Sequence, residues 1–589
     1  MGLLHDINES NFKAALDQVK KAGFPQKEAY RLEVLKKAEN LLHSSDGMYI
    51  LLQYAPYFDE AHLFLGRPWE DMQKLQPSLV RGTLEAGGTS SIFEFLSNLR
   101  LLAIALGTCK SETFSKVAAQ NYLNDVVALN FDVLYPNETE EGRVKSCNPL
   151  IFRLFQFLSN YLSPQALFEK ITAEIEKLSV QRPLTIDKIL TLISSGRNLS
   201  QQHAIHEGEF VYYRCAATVS SADYKDLSAQ ELVREACFQR MLMNRTGIVS
   251  NRYVLVLIEM QKRDVSLLPY GLGLGEKGYR AYFQHETLFQ TLLSSCLTSE
   301  TRQALYGFNQ LLERDIFSEN VIQALKTLVN ADYCEEARST LDCNNEEVSR
   351  AKAVSGILHL LGMPLGAGQG NNPVCQSTRA LSYWAQENPA YLLNIYLAAL
   401  VKGEIEISYE DKIISSGSLS LYQLNHDIPL DPVSMILIPH LHAIYEEMLK
   451  VTENVNEDVH KWINPAFYGA GVLKGFASSV HHPSFLPLFY LHYHYYNEYT
   501  KISLPQPAGV MLKDRNERIL GAHAVLIQRV SLDPEGLARV YFYNPNNDSK
   551  QTWGSGIETS VTGNGELPGE SSLLFDQFAS CLYAFHYPQ

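Results

Sequence analysis

One cysteine in this chain combines a residue type and a local setting that suit nucleophilic catalysis. Cys375 follows a short loop rich in Gly and Asn that ends at Pro373, and a helical pattern begins at the cysteine. Because a helix dipole favours negative charge at the helix N-terminus, we expect a thiolate to form readily there. Gln369 lies six residues earlier (375 − 369 = 6). Its amide and the backbone N–H of Cys375 are candidate donors to a developing oxyanion.

A nucleophilic cysteine also needs a base and a group that orients the base. His523 opens an apolar run that predicts a strand, 148 residues after Cys375 (523 − 375 = 148). A second predicted strand follows and leads directly into Asn544. We therefore predict that His523 is the base and that Asn544 hydrogen-bonds its imidazole. The same turn offers three alternatives to Asn544, which are Asn546, Asn547 and Asp548.

These residues together resemble the papain-like cysteine peptidases. That family has a Gln six residues before the nucleophile, a Cys that opens the central helix, a His opening a strand in a His-Ala-Val context, and a following Asn. The resemblance implies four roles: Gln369 as the oxyanion-hole residue, Cys375 as the nucleophile, His523 as the base and Asn544 as the orienting residue. It is carried by short motifs within residues 369–589.

The chain departs from the family pattern at two places. The Cys-Gly-Ser-Cys-Trp block is absent, and Gln376 stands where an aromatic residue is usual. The Asn-Ser-Trp-Gly block is replaced by a turn that begins Asn544-Pro545, which is more similar to bacteriocin-processing peptidases, where a strand leads into Asp-Pro. Deamidases, transglutaminases and acyltransferases use the same Cys-His pair, so the motifs leave the type of reaction open.

The principal prediction is an enzyme, a papain-like thiol hydrolase that cleaves a peptide or isopeptide bond. The Cys375 thiolate, paired with the His523 imidazolium, attacks the carbonyl, and water later releases the acyl-enzyme. Two alternatives remain. One is deamidation or transglutaminase-type amide transfer at the same site, and the other is a catalytically inactive, effector-like interaction protein. We expect a protein or peptide substrate and no metal or organic cofactor, and the oligomeric state stays open.

Composition limits the other classes of function. The 589 residues carry 50 Lys and Arg against 65 Asp and Glu, a net charge of −15, which argues against broad nucleic-acid binding. Nine cysteines without a Cys-x-x-Cys pair indicate a reducing compartment. The N-terminus does not match a Sec signal peptide, and no apolar run is long enough to predict a transmembrane helix. We expect a cytoplasmic protein, or one exported without a Sec signal, for example into a host cell.

Hydrophobic periodicity predicts an α+β fold in three regions. Residues 1–200 form a helical domain, 201–343 a mixed α/β and helical region, and 344–589 a papain-like cysteine hydrolase domain. In the last region the helix that carries Cys375 is expected to pack on an antiparallel sheet that carries His523. The detailed predictions are strands at 210–219 and 253–260, a linker at 194–209, one long helix at 375–401, and a hairpin made by 523–530 and 538–543.

Two further patterns are weaker. Residues 273–278 match a Gly-x-Gly-x-x-Gly fingerprint but lack the flanking strand that dinucleotide binding needs. His481, His482, His492 and His494 lie among many tyrosines, which favours an aromatic packing element over a metal site.

Overall fold

Helices make up most of the chain, and the strands among the described residues lie within residues 406–587, so the fold is α+β as the sequence predicts. The computed structural model describes residues 2–23, 26–130, 149–181, 184–219, 223–341, 345–370, 372–426, 428–452, 456–495, 503–513, 519–546 and 551–589. The chain divides into two compact units. The first comprises residues 1–175 and 188–208, and the second comprises residues 176–187 and 209–589.

The described residues of the first unit form helices that are joined by turns and loops. Its helices are Gly2–Lys21, Gln26–Leu42, Gly47–Tyr54, Val80–Ala86, Gly88–Leu106, Lys116–Leu129 and Pro149–Ser159, with most of Pro164–Gln181 and Asp187–His203 and three short 3₁₀ turns at Ala55–Tyr57, Met72–Lys74 and Pro77–Leu79. Among the described helices, Gly88–Leu106 is long and apolar enough to cross a membrane by length and composition, but 78% of it is buried inside the fold. A core helix has the same properties.

The second unit contains sixteen described helices. They are Phe210–Ala217, Ala229–Thr246, Asn251–Arg263, Leu268–Leu272, Glu276–Gln284, Glu286–Ser294, Ala304–Leu312, Glu319–Asn330, Glu335–Thr340, Glu346–Gly362, Cys375–Glu387, Pro389–Lys402, Pro432–Thr452, His460–Tyr468, Phe485–Tyr493 and Phe575–Cys581. Short 3₁₀ turns lie at Val265–Leu267 and Ser416–Ser418. One hydrophobic core runs through this unit from Leu184 to Tyr543, including residues on both sides of position 343, where the sequence suggested a division.

The sheets of the second unit are antiparallel. The strands are β1 (Glu406–Tyr409), β2 (Lys412–Ser415), β3 (Gly475–Ser478), β4 (Gln506–Lys513), β5 (Ile519–Leu532), β6 (Ala538–Tyr543), β7 (Thr552–Gly554), β8 (Ile557–Glu558), β9 (Ser571–Leu574) and β10 (Leu582–Tyr587). Six of them form the main sheet in the order β3-β10-β4-β5-β6-β9, while β1 pairs with β2 and β7 with β8. The predicted hairpin is confirmed as β5 and β6, which pair from Leu526 opposite Tyr543 to Leu532 opposite Ala538.

The main sheet separates two apolar layers. Side chains alternate across a strand, so successive residues of β5 face opposite layers. Leu526 joins the large core on the helical side, whereas Val525 and Ile527 join a second cluster on the other face. The helices Phe485–Tyr493 and Phe575–Cys581 cover that second cluster.

Several local predictions were wrong. The segments predicted as strands at 210–219 and 253–260 are the helices Phe210–Ala217 and Asn251–Arg263. Both are rich in Val and Tyr, which suit strands, but the buried positions of the second recur at helical spacing, and Ser250 caps it by accepting from the backbone N–H of Tyr253. The linker predicted at 194–209 is helical up to His203. The long helix predicted at 375–401 is two helices, broken where Asn388 caps the second and Pro389 opens it.

Candidate active site

Cys375 is the first residue of the helix Cys375–Glu387, which we call the cysteine helix. The thiol is a free cysteine of intermediate exposure and makes no hydrogen bond to a described residue. The first backbone N–H groups of a helix have no acceptor within it, so they point out of the helix end beside the thiol. Cys375 therefore combines a reachable sulfur with unpaired N–H donors.

Arg379 anchors the cysteine helix to the main sheet one helical turn after Cys375. The guanidinium is 1% exposed, and its Nη1 donates to the carbonyl oxygens of Ala508 at 2.9 Å and Val525 at 3.2 Å. Its other bonds go to the Tyr468 hydroxyl and to Oε1 of Gln376, and none of its described partners is a carboxylate. Since Val525 lies two residues after His523, Arg379 fixes the cysteine end of the helix against the strand that carries the predicted base.

His523 is buried and bonded to the residue predicted to orient it. Its side chain is 4% exposed, and Nε2 lies 2.8 Å from Oδ1 of Asn544. The orientation of the Asn544 amide follows from its other partners. The backbone N–H of Asn546, which can only donate, lies 3.1 Å from the same oxygen. The amide nitrogen of Asn544 donates to Gln551 Oε1 at 2.7 Å.

These bonds determine the tautomer of His523. Because Asn544 Oδ1 is an acceptor, Nε2 of the neutral ring must carry the proton, and Nδ1 keeps its lone pair. Nδ1 makes no hydrogen bond to a described residue. Burial lowers the pKa of His523 to about 4; the bond to Asn544 raises it and the Arg379 charge lowers it further. The resting ring is therefore neutral at pH 7 and has a free position for a proton.

A second layer of residues, which the sequence analysis did not single out, supports Asn544. Gln551 Oε1 also accepts from Nε1 of Trp553 at 3.2 Å, and the Trp553 ring meets the His523 ring edge-on with centroids 6.4 Å apart. Gln551 is tied to Thr559 by the bond from its own backbone N–H to Thr559 Oγ1 and by the bond that its carbonyl accepts from the Thr559 N–H. The sequence offers one signal for this layer, which is the Thr552–Gly554 segment that follows the turn and has Trp553 at its centre.

Gln369 lies against the same turn as Asn544. Its backbone N–H donates to the Pro545 carbonyl at 2.9 Å, and its own carbonyl accepts from Nδ2 of Asn372 at 3.0 Å. The side chain is 8% exposed, and its Oε1 is buried without a hydrogen-bond partner among the described residues. Gly370 follows with a φ of 56°, a left-handed conformation that glycine adopts without strain. The loop before Cys375 is thus joined to the turn after β6.

The structure places the four predicted residues in one region of the second unit, with different degrees of contact. His523 and Asn544 are hydrogen-bonded, and Gln369 bonds the residue after Asn544. The helix that Cys375 opens is bonded to β5, the strand of His523, through Arg379. No hydrogen bond joins the Cys375 thiol to His523 among the described residues. Of the alternatives to Asn544, Asn546 supports Asn544 through its backbone, while Asn547 and Asp548 lie outside the described residues.

The weaker patterns have structural explanations. Gly273 ends the helix Leu268–Leu272 and Gly275 precedes the helix Glu276–Gln284, so 273–278 is a junction between two helices. In the described part of the chain, no group of three or more His, Cys, Asp or Glu side chains is arranged to hold a metal ion. His492 and His494 stack on Tyr587 and Tyr490.

Comparison with protein-family models, with curated proteins and with solved structures finds no match to this chain. The geometry of the residues around Cys375 and His523 is therefore what bears on the chemistry of the site.

Proposed function

We propose that this protein is a cysteine hydrolase in which Cys375 attacks the carbonyl of a peptide or isopeptide bond and His523 acts as the base. The observation that carries the proposal is the hydrogen bond from His523 Nε2 to Asn544 Oδ1, because the bonds of Asn544 force the tautomer that leaves Nδ1 free to accept a proton. The papain-like fold named by the resemblance is part of this proposal.

The lowered pKa of His523 changes the resting state expected from the sequence. The proposed reaction therefore starts from a neutral His523 imidazole rather than from an imidazolium. His523 takes the thiol proton as sulfur attacks, and the hydrogen bond to Asn544 supports the imidazolium that forms. His523 then returns the proton to the leaving amine, which breaks the C–N bond and leaves an acyl-enzyme. Water attacks the thioester while His523 takes its proton; the C–S bond then breaks, the carboxylic acid leaves, and His523 returns the proton to the Cys375 sulfur.

Two sets of groups support negative charge during these steps. The backbone N–H groups at the start of the cysteine helix, with the Gln369 amide, are the candidate donors to the oxyanion. The Arg379 cation is buried four residues after Cys375 and lacks a carboxylate partner among the described residues, so its field supports the negative charge that develops on the substrate oxygen during attack.

The test compares two cysteines of one protein. Methyl methanethiosulfonate modifies thiolates, and peptide mass spectrometry gives the rate at each site. Cys215 is exposed and Cys375 is less exposed, so accessibility alone predicts faster modification of Cys215. The proposal predicts that Cys375 is modified about tenfold faster at pH 7 and that this advantage is lost in His523→Gln. Equal or slower modification of Cys375 in the wild-type protein contradicts the proposal.

A further inference from the structure

The backbone of Gln369 is hydrogen-bonded on both sides, whereas its side-chain oxygen is not bonded. The Gln369 N–H donates to the Pro545 carbonyl at 2.9 Å. The Gln369 carbonyl accepts two bonds from Asn372, one from the backbone N–H at 3.2 Å and one from Nδ2 at 3.0 Å. The side-chain Oε1 of Gln369 has no hydrogen-bond partner among the described residues. The backbone that carries the candidate oxyanion donor is therefore fixed by its neighbours, and Asn372 supplies half of that support.

Asn372 also bonds a segment that is distant in the sequence. The residue is 1% exposed, its Nδ2 donates to the Asn425 carbonyl at 3.1 Å, and its Oδ1 accepts from the Asn425 backbone N–H at 2.7 Å. A backbone N–H can only donate, so the orientation of the Asn372 amide is determined. One buried carboxamide thus uses both of its N–H groups and its oxygen to join Gln369 to the backbone of Asn425.

The segment that contains Asn425 is itself held by the large hydrophobic core. Residues 419–426 form no helix or strand, but the side chains of Tyr422 and Leu424 pack against that core. The Tyr422 ring also meets the His442 ring edge-on, with centroids 4.7 Å apart. Because the side chain just before Asn425 is packed in this way, the N–H and carbonyl that bond Asn372 have a defined position. Asn372 therefore ties Gln369 to a fixed anchor.

We propose that Asn372 is a positioning residue that holds Gln369 where its amide can bond the oxyanion. Asn372 touches no atom of the substrate and acts through the Gln369 backbone. A displacement of a catalytic group by about 1 Å costs up to about a hundredfold in rate, so a small shift of Gln369 should be measurable. This inference rests on the proposed function, because it takes Cys375 as the nucleophile and Gln369 as the donor.

Two reagents separate positioning of the donor from general support of the fold. With 4-nitrophenyl acetate the Cys375 sulfur attacks a carbonyl carbon, an oxyanion forms, 4-nitrophenolate leaves and a thioester remains. With methyl methanethiosulfonate the sulfur attacks sulfur, methanesulfinate leaves and a disulfide remains, so no carbonyl oxyanion forms. His523 takes the thiol proton in both reactions. The ratio of the acetylation rate to the methylthiolation rate at one cysteine therefore reports support of the oxyanion, and peptide mass spectrometry at early times measures both rates.

In the wild-type protein this ratio should be at least about tenfold higher at Cys375 than at the exposed Cys215. In Asn372→Ala the ratio at Cys375 should fall about tenfold, while the methylthiolation rate changes less than about twofold. Asn372→Ser also lacks the amide and takes the place of the alanine variant if that variant does not fold. Asn130→Ala is the matched control, because Asn130 is a buried asparagine of the first unit that donates to the Val126 carbonyl. It should keep the ratio.

The outcomes separate this inference from the proposed function. If Cys375 outpaces Cys215 with methyl methanethiosulfonate but Asn372→Ala keeps the wild-type ratio, the catalytic proposal stands and Asn372 does not position the donor. If Asn372→Ala lowers both rates at Cys375 in the same proportion, Asn372 supports only the fold and the inference is wrong. A wild-type ratio at Cys375 no higher than that at Cys215 also overturns it, because no oxyanion is then being supported.

Discussion

Nε2 of His523 lies 2.8 Å from Oδ1 of Asn544, and the backbone N–H of Asn546 donates to the same oxygen. A backbone donor cannot be flipped, so this third residue fixes which atom of the Asn544 amide faces the imidazole. The ring in turn has one allowed neutral tautomer. The orientation of the His523 ring is thus set by the course of the chain after β6 as much as by a side chain.

Asn544→Ala removes the acceptor for His523 Nε2 and should slow modification of Cys375 by methyl methanethiosulfonate at pH 7 about tenfold, because the imidazole is no longer held in the basic tautomer. Asn546→Ala is the control, since it keeps the backbone N–H that bonds Asn544 and should react like the wild-type protein. Equal rates in the two variants would show that Asn544 does not orient the base.

Gln551→Leu leaves two buried donors without an acceptor, the Asn544 amide and the Trp553 indole N–H. We expect the free energy of unfolding to fall by about 2–6 kcal/mol, because each of the two unsatisfied buried donors costs about 1–3 kcal/mol. Urea denaturation measures the change. Gln386→Leu is the comparison, because the Gln386 amide bonds within its own helix to Ser382 and should cost less than about 1 kcal/mol.

Arg379 contributes both charge and anchoring, and two substitutions separate them. Arg379→Met removes the charge and should slow modification of Cys375 at pH 7 about tenfold. Arg379→Lys keeps a cation but cannot reach Ala508, Val525 and Tyr468 together. It should retain more of the reactivity while still lowering the free energy of unfolding by about 1–3 kcal/mol. If the two variants react equally slowly, the charge of residue 379 does not assist the reaction of Cys375.

Stability should fall in acid, below the ordinary pKa of histidine. Burial lowers the pKa of His523 and of His586 to about 4 and that of His359 to about 3, against 6.5 for an unperturbed ring. The unfolded chain binds protons that the folded chain excludes as pH drops below 6.5, so stability is full above that pH and is lost as pH falls towards 4.

For His523, the lowering of the pKa from 6.5 to about 4 corresponds to about 3 kcal/mol of folding free energy. About 2 kcal/mol of this stability is lost between pH 7 and pH 5. Urea denaturation at both values should show His523→Gln losing about 2 kcal/mol less than the wild-type protein. His426→Gln, at an exposed position, should lose as much as the wild-type protein.

The sequence predicted the parts of the site that depend on local pattern. The alternating residues after His523 and the turn at 533–537 predict a hairpin, and a hairpin brings residues 523 and 544 together through its register. The start of the cysteine helix is equally local, since Pro373 and the residues after it mark a helix boundary. These contacts follow from short-range geometry.

The remaining parts depend on contacts between distant segments. Nothing near Asn372 in the sequence indicates that its amide will bond the backbone of Asn425, because 53 residues separate them. Gln551 is closer to Asn544, but its role arises from the side chain of Trp553 and the return of the chain at Thr559. The segments 210–219 and 253–260 were mispredicted because residues that favour strands in isolation are buried here at helical spacing.

The continuous core of the second unit limits where the chain can be shortened without unfolding it. Helices between residues 229 and 330 share one apolar interior with the cysteine helix, and Val180 and Leu184 hydrogen-bond the backbone of Gly569 and Gly366. Cutting the chain near residue 343 and removing the preceding helices would expose that interior, so we expect residues 345–589 not to fold by themselves. The described helices between residues 229 and 330 are thus part of the scaffold that holds the cysteine helix, and a fragment that lacks them should lose that helix's packing as well.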